Sequence, residues 1–286
     1  MRRLTEKECR SLSDRIDWIG DVPRVRRDTN LPTGVLVAIH TQGLRRKVIS
    51  NYWKVKDGAH RLASAWKRGA SVREIAQRKR FPPIVIARII SYEIGVSKND
   101  FRKMVNGSDI NRSLSKDQLK MASEVSKIVK LDYMDSPWSL DIYREVGRQG
   151  EQLLSDWLNE RGLKFKTEKE QKGGTGVPTP DFLFASPEKI DGRKNVSWIE
   201  SKGFFGDLSH VRRHHRRQAK RYESRFGKGM MVYWYGLTRE AERSGPVDEF
   251  LDPGIFEGRD GWERLMEDIP AKLVIGATQG PKAISS

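Results

Sequence analysis

The sequence predicts an α/β protein in which an all-helical amino-terminal half precedes an α/β half, and three observations lead there. Apolar residues recur at helical spacing through the first 130 or so residues. Capping-box patterns open two of those segments, at Thr5 to Glu8 and Ser71 to Glu74. Past Met134-Asp135-Ser136-Pro137 the pattern changes to one long helix and several short strand-like runs.

The first helix runs from Thr5 to about Trp18, with Leu12, Ile16 and Ile19 at helical spacing. Pro32 opens a second run through Val35, Leu36, Ile39 and Leu44, and Ala59 to Trp66 resumes after Asp57-Gly58. From Ser71 a helix runs through Ile75 and Ala76 and stops before Phe81-Pro82-Pro83; Ile84 to Tyr92 forms the next. Helix, tight turn, helix predicts a helix-turn-helix, with Arg73 and Arg88 as candidate DNA contacts; a purely structural bundle is the other reading. A polar stretch from Val96 to Ser115 leads to a helix over Lys116 to Val129. The expected domains are therefore 1–135 and 136–286. The second holds a helix from about Leu140 to Arg161 and strand-like runs at Phe165 to Glu168, Pro180 to Ala185, Val196 to Phe204 and Met230 to Tyr235.

The formal net charge of +16, with a pI near 9.9, points to a polyanionic partner, and a phosphate backbone fits best. The single cysteine, Cys9, excludes an internal disulfide framework and a multi-cysteine zinc site. The basic start Met1-Arg2-Arg3-Leu4 is followed by Thr5-Glu6-Lys7-Glu8, where a signal peptide would be apolar. With no run near roughly 18 apolar residues, a soluble intracellular protein is expected.

Asp181 follows Thr179-Pro180 and leads into Phe182-Leu183-Phe184, while Glu200, Ser201 and Lys202 end Val196-Ser197-Trp198-Ile199. Alternation along a strand puts Glu200 and Lys202 on one face, able to meet Asp181 on a neighbouring strand. Phosphodiester hydrolysis needs a cation to neutralise phosphate and an activated water. Asp181, Glu200 and the Ser201 carbonyl would hold Mg²⁺, for which Mn²⁺ can substitute, and Lys202 would orient or help deprotonate the water. A second Glu-x-Lys, Glu170-Gln171-Lys172, sits in a polar stretch and fails on context. Glu151 could supply a third carboxylate or be a solvent-facing helix residue. Gln218 and Tyr222, four apart, share one helix face; alone that spacing carries little.

Thr179-Pro180-Asp181-Phe182, Trp198-Ile199-Glu200-Ser201-Lys202, Phe205-Gly206-Asp207, Arg225-Phe226-Gly227 and Val232-Tyr233-Trp234-Tyr235-Gly236 closely resemble the codanin-interacting nuclease family, also called the TPD-motif family. Its nuclease half is similar to archaeal Holliday-junction resolvases. The resemblance is strong from about Gly147 to Gly236 and weaker before that. It implies a restriction-endonuclease-like PD-(D/E)xK core with a mixed central sheet. It also implies an active site of Asp181, Glu200 and Lys202 joined by Glu151, with Gln218 and Tyr222 as a fourth nuclease motif. A codanin-like partner is implied for a eukaryotic owner alone, so source decides between nuclear and cytoplasmic or nucleoid placement.

From His210 to Arg221 runs a basic stretch without an acid. Arg212, Arg213, Arg216, Arg217, Lys220 and Arg221 on a helix beside the active site would grip DNA. The bland reading, a solvated face, leaves the mutual repulsion of these charges unrelieved. His210 and His214 have a zinc-like spacing, which the surrounding arginines oppose. Tyr233-Trp234-Tyr235 reads as a core strand. The expected function is a metal-dependent DNA endonuclease, selective for branched or junction substrates. The alternatives are a non-catalytic DNA-binding adaptor that keeps the nuclease fold, and a helix-turn-helix regulator.

Overall fold

Local capping decides where the helices begin. Thr5, Ser71 and Ser115 each accept a backbone N–H three residues on and receive a Glu or Gln in return. The structure is a computed structural model that describes residues 3–111, 113–171, 178–244 and 250–279, without the side chains of Arg213 and His214. In chain order the helices are α1 (Glu6–Arg15), α2 (Val22–Thr29), α3 (Thr33–Lys56), α4 (Ala59–Lys67), α5 (Val72–Lys79), α6 (Pro83–Glu93), α7 (Lys98–Asn106), α8 (Lys116–Ile128) and α9 (Pro137–Glu160). After α9 come β1 (Phe165–Thr167), the short α10 (Glu168–Gln171), β2 (Phe182–Ile190), β3 (Arg193–Lys202), α11 (Leu208–His210), α12 (Arg216–Phe226), β4 (Gly229–Tyr233), α13 (Arg239–Ser244), β5 (Phe250–Leu251) and α14 (Ile269–Gln279). Among the described residues, no helix is long and apolar enough to cross a membrane.

Among the described residues the chain divides into two compact units. One holds 3–17, 21–39 and 143–270; the other holds 18–20, 40–142 and 271–279. This grouping differs from the division at 135 read from the sequence, and the contacts of the first residues explain why. Leu4 bridges Thr238, and its carbonyl accepts the Arg239 N–H at 2.9 Å. Glu6 Oε1 accepts from the Leu208 N–H (2.7 Å) and Thr238 Oγ1 (2.8 Å), capping α11 from more than 200 residues away. Thr33 N and Arg26 both donate to Glu267. None of these partners is visible in a local pattern.

In the helical unit α6 is the centre. Ile84, Val85, Ile86, Ala87, Ile89 and Ile90 are all buried and pack with Leu62, Trp66, Ile75, Phe101, Met121 and Val125. Helix, turn, helix is found where the sequence put it, with Arg80 in the left-handed region (φ 52°) at the turn. Yet α6 spends most of its circumference on the core, and Arg88, Tyr92 and Glu93 are the larger side chains it carries to the surface. The segment expected to be polar and irregular contains α7. Ser97 caps it and Phe101 and Met104 are buried one turn apart, a period too short to stand out among charged neighbours.

Two carboxylates, one half-buried and one buried, tie the bundle. Glu124 accepts from Trp66 Nε1 (2.7 Å) and from the Val72 N–H (2.8 Å), joining α4, α5 and α8. Asp132, 1% exposed, accepts from the N–H groups of Ile84, Met134 and Asp135 and so caps α6, whose prolines leave its start poor in donors. Burial pushes the Asp132 carboxyl above the usual range, partly offset by those three donors. Replacing Asp132 by alanine strands them. Asp132→Ala is expected to cost about 2–4 kcal/mol of stability in urea unfolding, and Asp132→Asn, which still accepts, less than half of that.

The other unit is built on a five-stranded mixed sheet in the order β1-β2-β3-β4-β5. It is antiparallel from β1 to β3 and parallel from β3 to β5. The parallel step from β3 to β4 needs a crossover, which α11 and α12 provide. Trp198, Met231, Tyr233 and Phe250 pack on one face with Ala219 and Tyr222 of α12. Period-two alternation then places Glu200 and Lys202 on that same face. The strand β5, two residues long, carries no legible alternation in sequence.

Candidate active site

Strand pairing brings the acidic residues together. Phe182 pairs with Ile199 across β2 and β3, so Asp181, one residue before β2, meets Glu200. The Asp181 N–H donates to Glu200 Oε2 (3.2 Å), and Asp181 Oδ2 accepts the Ser201 N–H (2.7 Å). The Glu168 N–H donates to the Asp181 carbonyl (2.9 Å), fixing the approach to β2. Glu200, 5% exposed, has its other oxygen shared: Lys202 Nζ donates to Oε1 at 2.6 Å and Gln218 Nε2 at 2.7 Å. Gln218 Nε2 also donates to Tyr222 Oη (3.0 Å), which in turn donates to the Thr179 carbonyl (2.8 Å). The chain from Lys202 through Glu200, Gln218 and Tyr222 to Thr179 thus closes over the Thr179-Pro180-Asp181 turn.

Five of the residues singled out in the sequence, Asp181, Glu200, Lys202, Gln218 and Tyr222, therefore meet in one hydrogen-bonded cluster. Ser201 points its side chain to the opposite face, where its Oγ accepts from Trp234 Nε1 (2.8 Å). Glu151 stands on α9 with its side chain reaching solvent. Gly150 beside it lies flat against the Trp234 indole, where any Cβ would collide. That close approach brings Glu151 within electrostatic reach of the cluster. Thr179, Glu168 and Trp234 were missed as site residues. Thr179 and Glu168 act through backbone groups, which no residue pattern reports, and Trp234 was read as core, which it also is (0% exposed).

Lys202 offsets the negative charge only in part. Burial first, then repulsion from Glu200 and Glu151, holds the Asp181 carboxyl up to about 8, against the pull of the Ser201 N–H and Lys202. Partial desolvation, then Glu168 and Glu200, raises Glu151. Burial and then Glu200 push Tyr222 up to about 12, which keeps its hydroxyl a donor. A hard divalent cation fits this donor set. Two adjacent carboxylates offer oxygen ligands, and the raised Asp181 marks excess negative charge that a cation would neutralise. Among the described residues no three His, Cys, Asp or Glu side chains converge into a ready-made cage, so further ligands would come from backbone, water and phosphate.

The basic segment follows. Val211–His215 is a π-turn between α11 and α12, the kind of inserted residue that re-phases a helix near functional sites. It buries His215 under Tyr233 and against Phe204, and leaves Gln218 and Tyr222 facing the strands. Arg212, Arg216, Arg217, Lys220 and Arg221 are exposed, whereas the side chains of Arg213 and His214 lie outside the described part. In the helical unit Arg73 is exposed on α5. Arg88 is half-buried on α6, its guanidinium over the Tyr52 ring. In the decoy Glu170-Gln171-Lys172, Glu170 caps Thr167 (2.7 Å) and Lys172 is outside the described residues.

A family profile described as a protein of unknown function with the TPD sequence motif matches residues 117–249, which include every member of the cluster. CDAN1-interacting nuclease 1 of Bos taurus is 30% identical over 173 residues, or 59% of this chain and 60% of its own. The Mus musculus protein of that name is 29% identical over 185 residues (63% and 66%), and that of Danio rerio 25% over 261 (84% and 85%). Over these residues the chain is similar to this TPD-motif family. Its matches span about three fifths to two thirds of the length of the two mammalian relatives. No solved structure gives a significant match.

The raised Asp181 has a signed consequence. Its carboxyl titrates at 3.8 when free of the fold and near 8 within it, so folding takes up a proton across that window. The contribution of this group to the stability of the metal-free protein is fully present below about pH 4 and is lost as pH rises toward 8. Asp181→Asn is therefore expected to be more stable than the wild type at pH 8 in EDTA, by on the order of 1–3 kcal/mol, and equally stable near pH 4. Thermal unfolding at the two pH values measures the difference.

Proposed function

We propose that this protein is a metal-dependent endonuclease of the PD-(D/E)xK type acting on DNA, with Asp181, Glu200 and Lys202 as its core. The observation that carries this reading is that Asp181, hydrogen-bonded through its N–H to the Glu200 carboxylate, stands beside a Glu200 that receives the Lys202 ammonium at 2.6 Å. The name of the relatives, CDAN1-interacting nuclease 1, agrees with it. A sheet antiparallel through its first three strands and parallel through the next two is compatible with a restriction-endonuclease-like core.

Bound Mg²⁺ or Mn²⁺ would supply charge neutralisation at the scissile phosphate and a more acidic water. Asp181, Glu200, the Ser201 carbonyl and Glu151 would hold it. Lys202 orients the attacking water and stabilises the hydroxide, since its ammonium already lies in hydrogen-bond contact with Glu200. Gln218 donates to Glu200 and Tyr222 and keeps both in place. Tyr222 pins the Thr179 carbonyl and so the turn that carries Asp181. The exposed cations Arg212, Arg216, Arg217, Lys220 and Arg221, with Arg213 beside them in sequence, grip the phosphate backbone. Arg73 on its exposed helix face would add a phosphate contact. Selectivity for branched DNA and, for a eukaryotic owner, a codanin-like partner belong to the same proposal.

The test is cleavage of labelled duplex, branched and single-stranded DNA with Mg²⁺, Mn²⁺ or EDTA. Cutting should require metal, disappear in Asp181→Ala, and fall about a hundredfold or more in Lys202→Ala while DNA binding persists. Gln218→Ala, which loosens Glu200 and Tyr222 together, is expected to lose about tenfold in kcat with little change in KM. Wild-type protein that binds DNA with a steep salt dependence yet never cuts would replace this reading with that of a DNA-binding adaptor.

A further inference from the structure

The helical unit carries a groove of about 460 Å³ that the catalytic cluster does not use. Its lining combines three cations, Arg88, Lys98 and Arg102, with apolar and aromatic surface from Ile84, Tyr92 and Phe101. The volume lies within the range of roughly 300–1,000 Å³ of small-ligand sites. Its acid, Asp135, already faces Arg45 at 3.8 Å. The Arg88 Nε is buried with no hydrogen-bond partner, a donor that a bound anion would satisfy. Tyr92 is 38% exposed and meets Phe101 edge-on at 6.1 Å, so its ring remains available for stacking.

The surface continues beyond the groove. The Arg88 guanidinium lies over Tyr52 (5.8 Å), which meets Trp53 edge-on (5.6 Å), and Trp53 is 67% exposed with Lys56 over its ring at 4.7 Å. Aromatic rings interleaved with cations are the chemistry that holds unpaired bases together with their phosphates. Residues 40–142 carry 21 Lys and Arg against 10 Asp and Glu, so the whole unit favours a polyanion.

We propose that this groove binds single-stranded nucleic acid, seating one unpaired nucleotide with its base against Tyr92 and its phosphates against Arg88, Lys98 and Arg102, while the strand runs on over Trp53. A duplex keeps its bases stacked on one another and cannot present one to Tyr92. The proposal rests on the reading of the chain as acting on nucleic acid. It gives that enzyme a seat for the unpaired strand of a branched or open substrate, and it does not depend on cleavage.

Fluorescence anisotropy in EDTA, with full-length protein, tests it. The probes are labelled oligo-dT, oligo-U, a DNA duplex hairpin and polyglutamate. The variants are Lys98→Glu with Arg102→Glu, Tyr92→Ala, and Arg216→Ala with Arg217→Ala, each checked for its unfolding temperature. The groove variants are expected to weaken oligo-dT or oligo-U binding by about tenfold or more and to change duplex binding much less. The dT and U arms say which sugar is preferred. A 4-thiothymine oligonucleotide should crosslink to the peptide holding Tyr92 or Phe101. Unchanged single-strand affinity in the groove variants, with loss in the Arg216/Arg217 variant, would overturn the groove and leave the nuclease reading intact. Polyglutamate binding that outcompetes the oligonucleotides and disappears in the groove variants would overturn it in favour of an acidic protein segment. No binding of any nucleic acid by the wild type would overturn both.

Discussion

The apposition of Asp181 and Glu200 is the constraint from which the rest of the α/β unit can be understood. Burial first, and then repulsion between the two carboxylates, makes Asp181 hold its proton to about pH 8. The Ser201 N–H, Lys202 and Gln218 soften the repulsion without removing it. What remains is an excess of negative charge that a bound cation would relieve.

The surrounding packing holds the two acids in register. Pairing of Phe182 with Ile199 sets their separation, and the parallel step from Trp198 to Gly229 is possible because a Cβ on Gly229 would enter the Trp198 indole. On the face shared with Glu200 and Lys202, Tyr222 packs edge-on against Trp198 (5.2 Å) while its hydroxyl reaches Thr179. Tyr222 is thereby a core residue and a site residue at once. On the opposite face Trp234 links Ser201 to Gly150. One strand, β3, thus joins the hydrogen-bonded cluster to both layers of helix. In the helical unit the corresponding anchors are Glu124 and Asp132, which accept from N–H groups in the first turns of α5 and α6.

Much of this was legible in the sequence because it depends on short-range rules. The capping boxes at Thr5 and Ser71, the alternation that aligns Glu200 with Lys202, and the four-residue step from Gln218 to Tyr222 are all local, and the structure realises each. Features that depend on distant partners were not legible. Glu6 caps α11, Leu4 joins Thr238, and Glu267 receives Thr33 and Arg26. The first residues therefore group with the α/β unit instead of with the helices that follow them. In α6, six apolar residues are buried around most of its circumference, which was not foreseen from the sequence. Whole-circumference burial and a one-sided stripe look alike when isoleucines are this dense.

Metal binding measured by calorimetry in two buffers of different ionisation enthalpy tests the central claim most directly. At pH 7 the Asp181 carboxyl is still protonated, so Mn²⁺ binding to the wild type should release about one proton and should vanish in Asp181→Ala. Metal binding that is absent from the wild type, or that persists unchanged with no proton release in Asp181→Ala, would contradict the assignment of this carboxylate pair as the metal site.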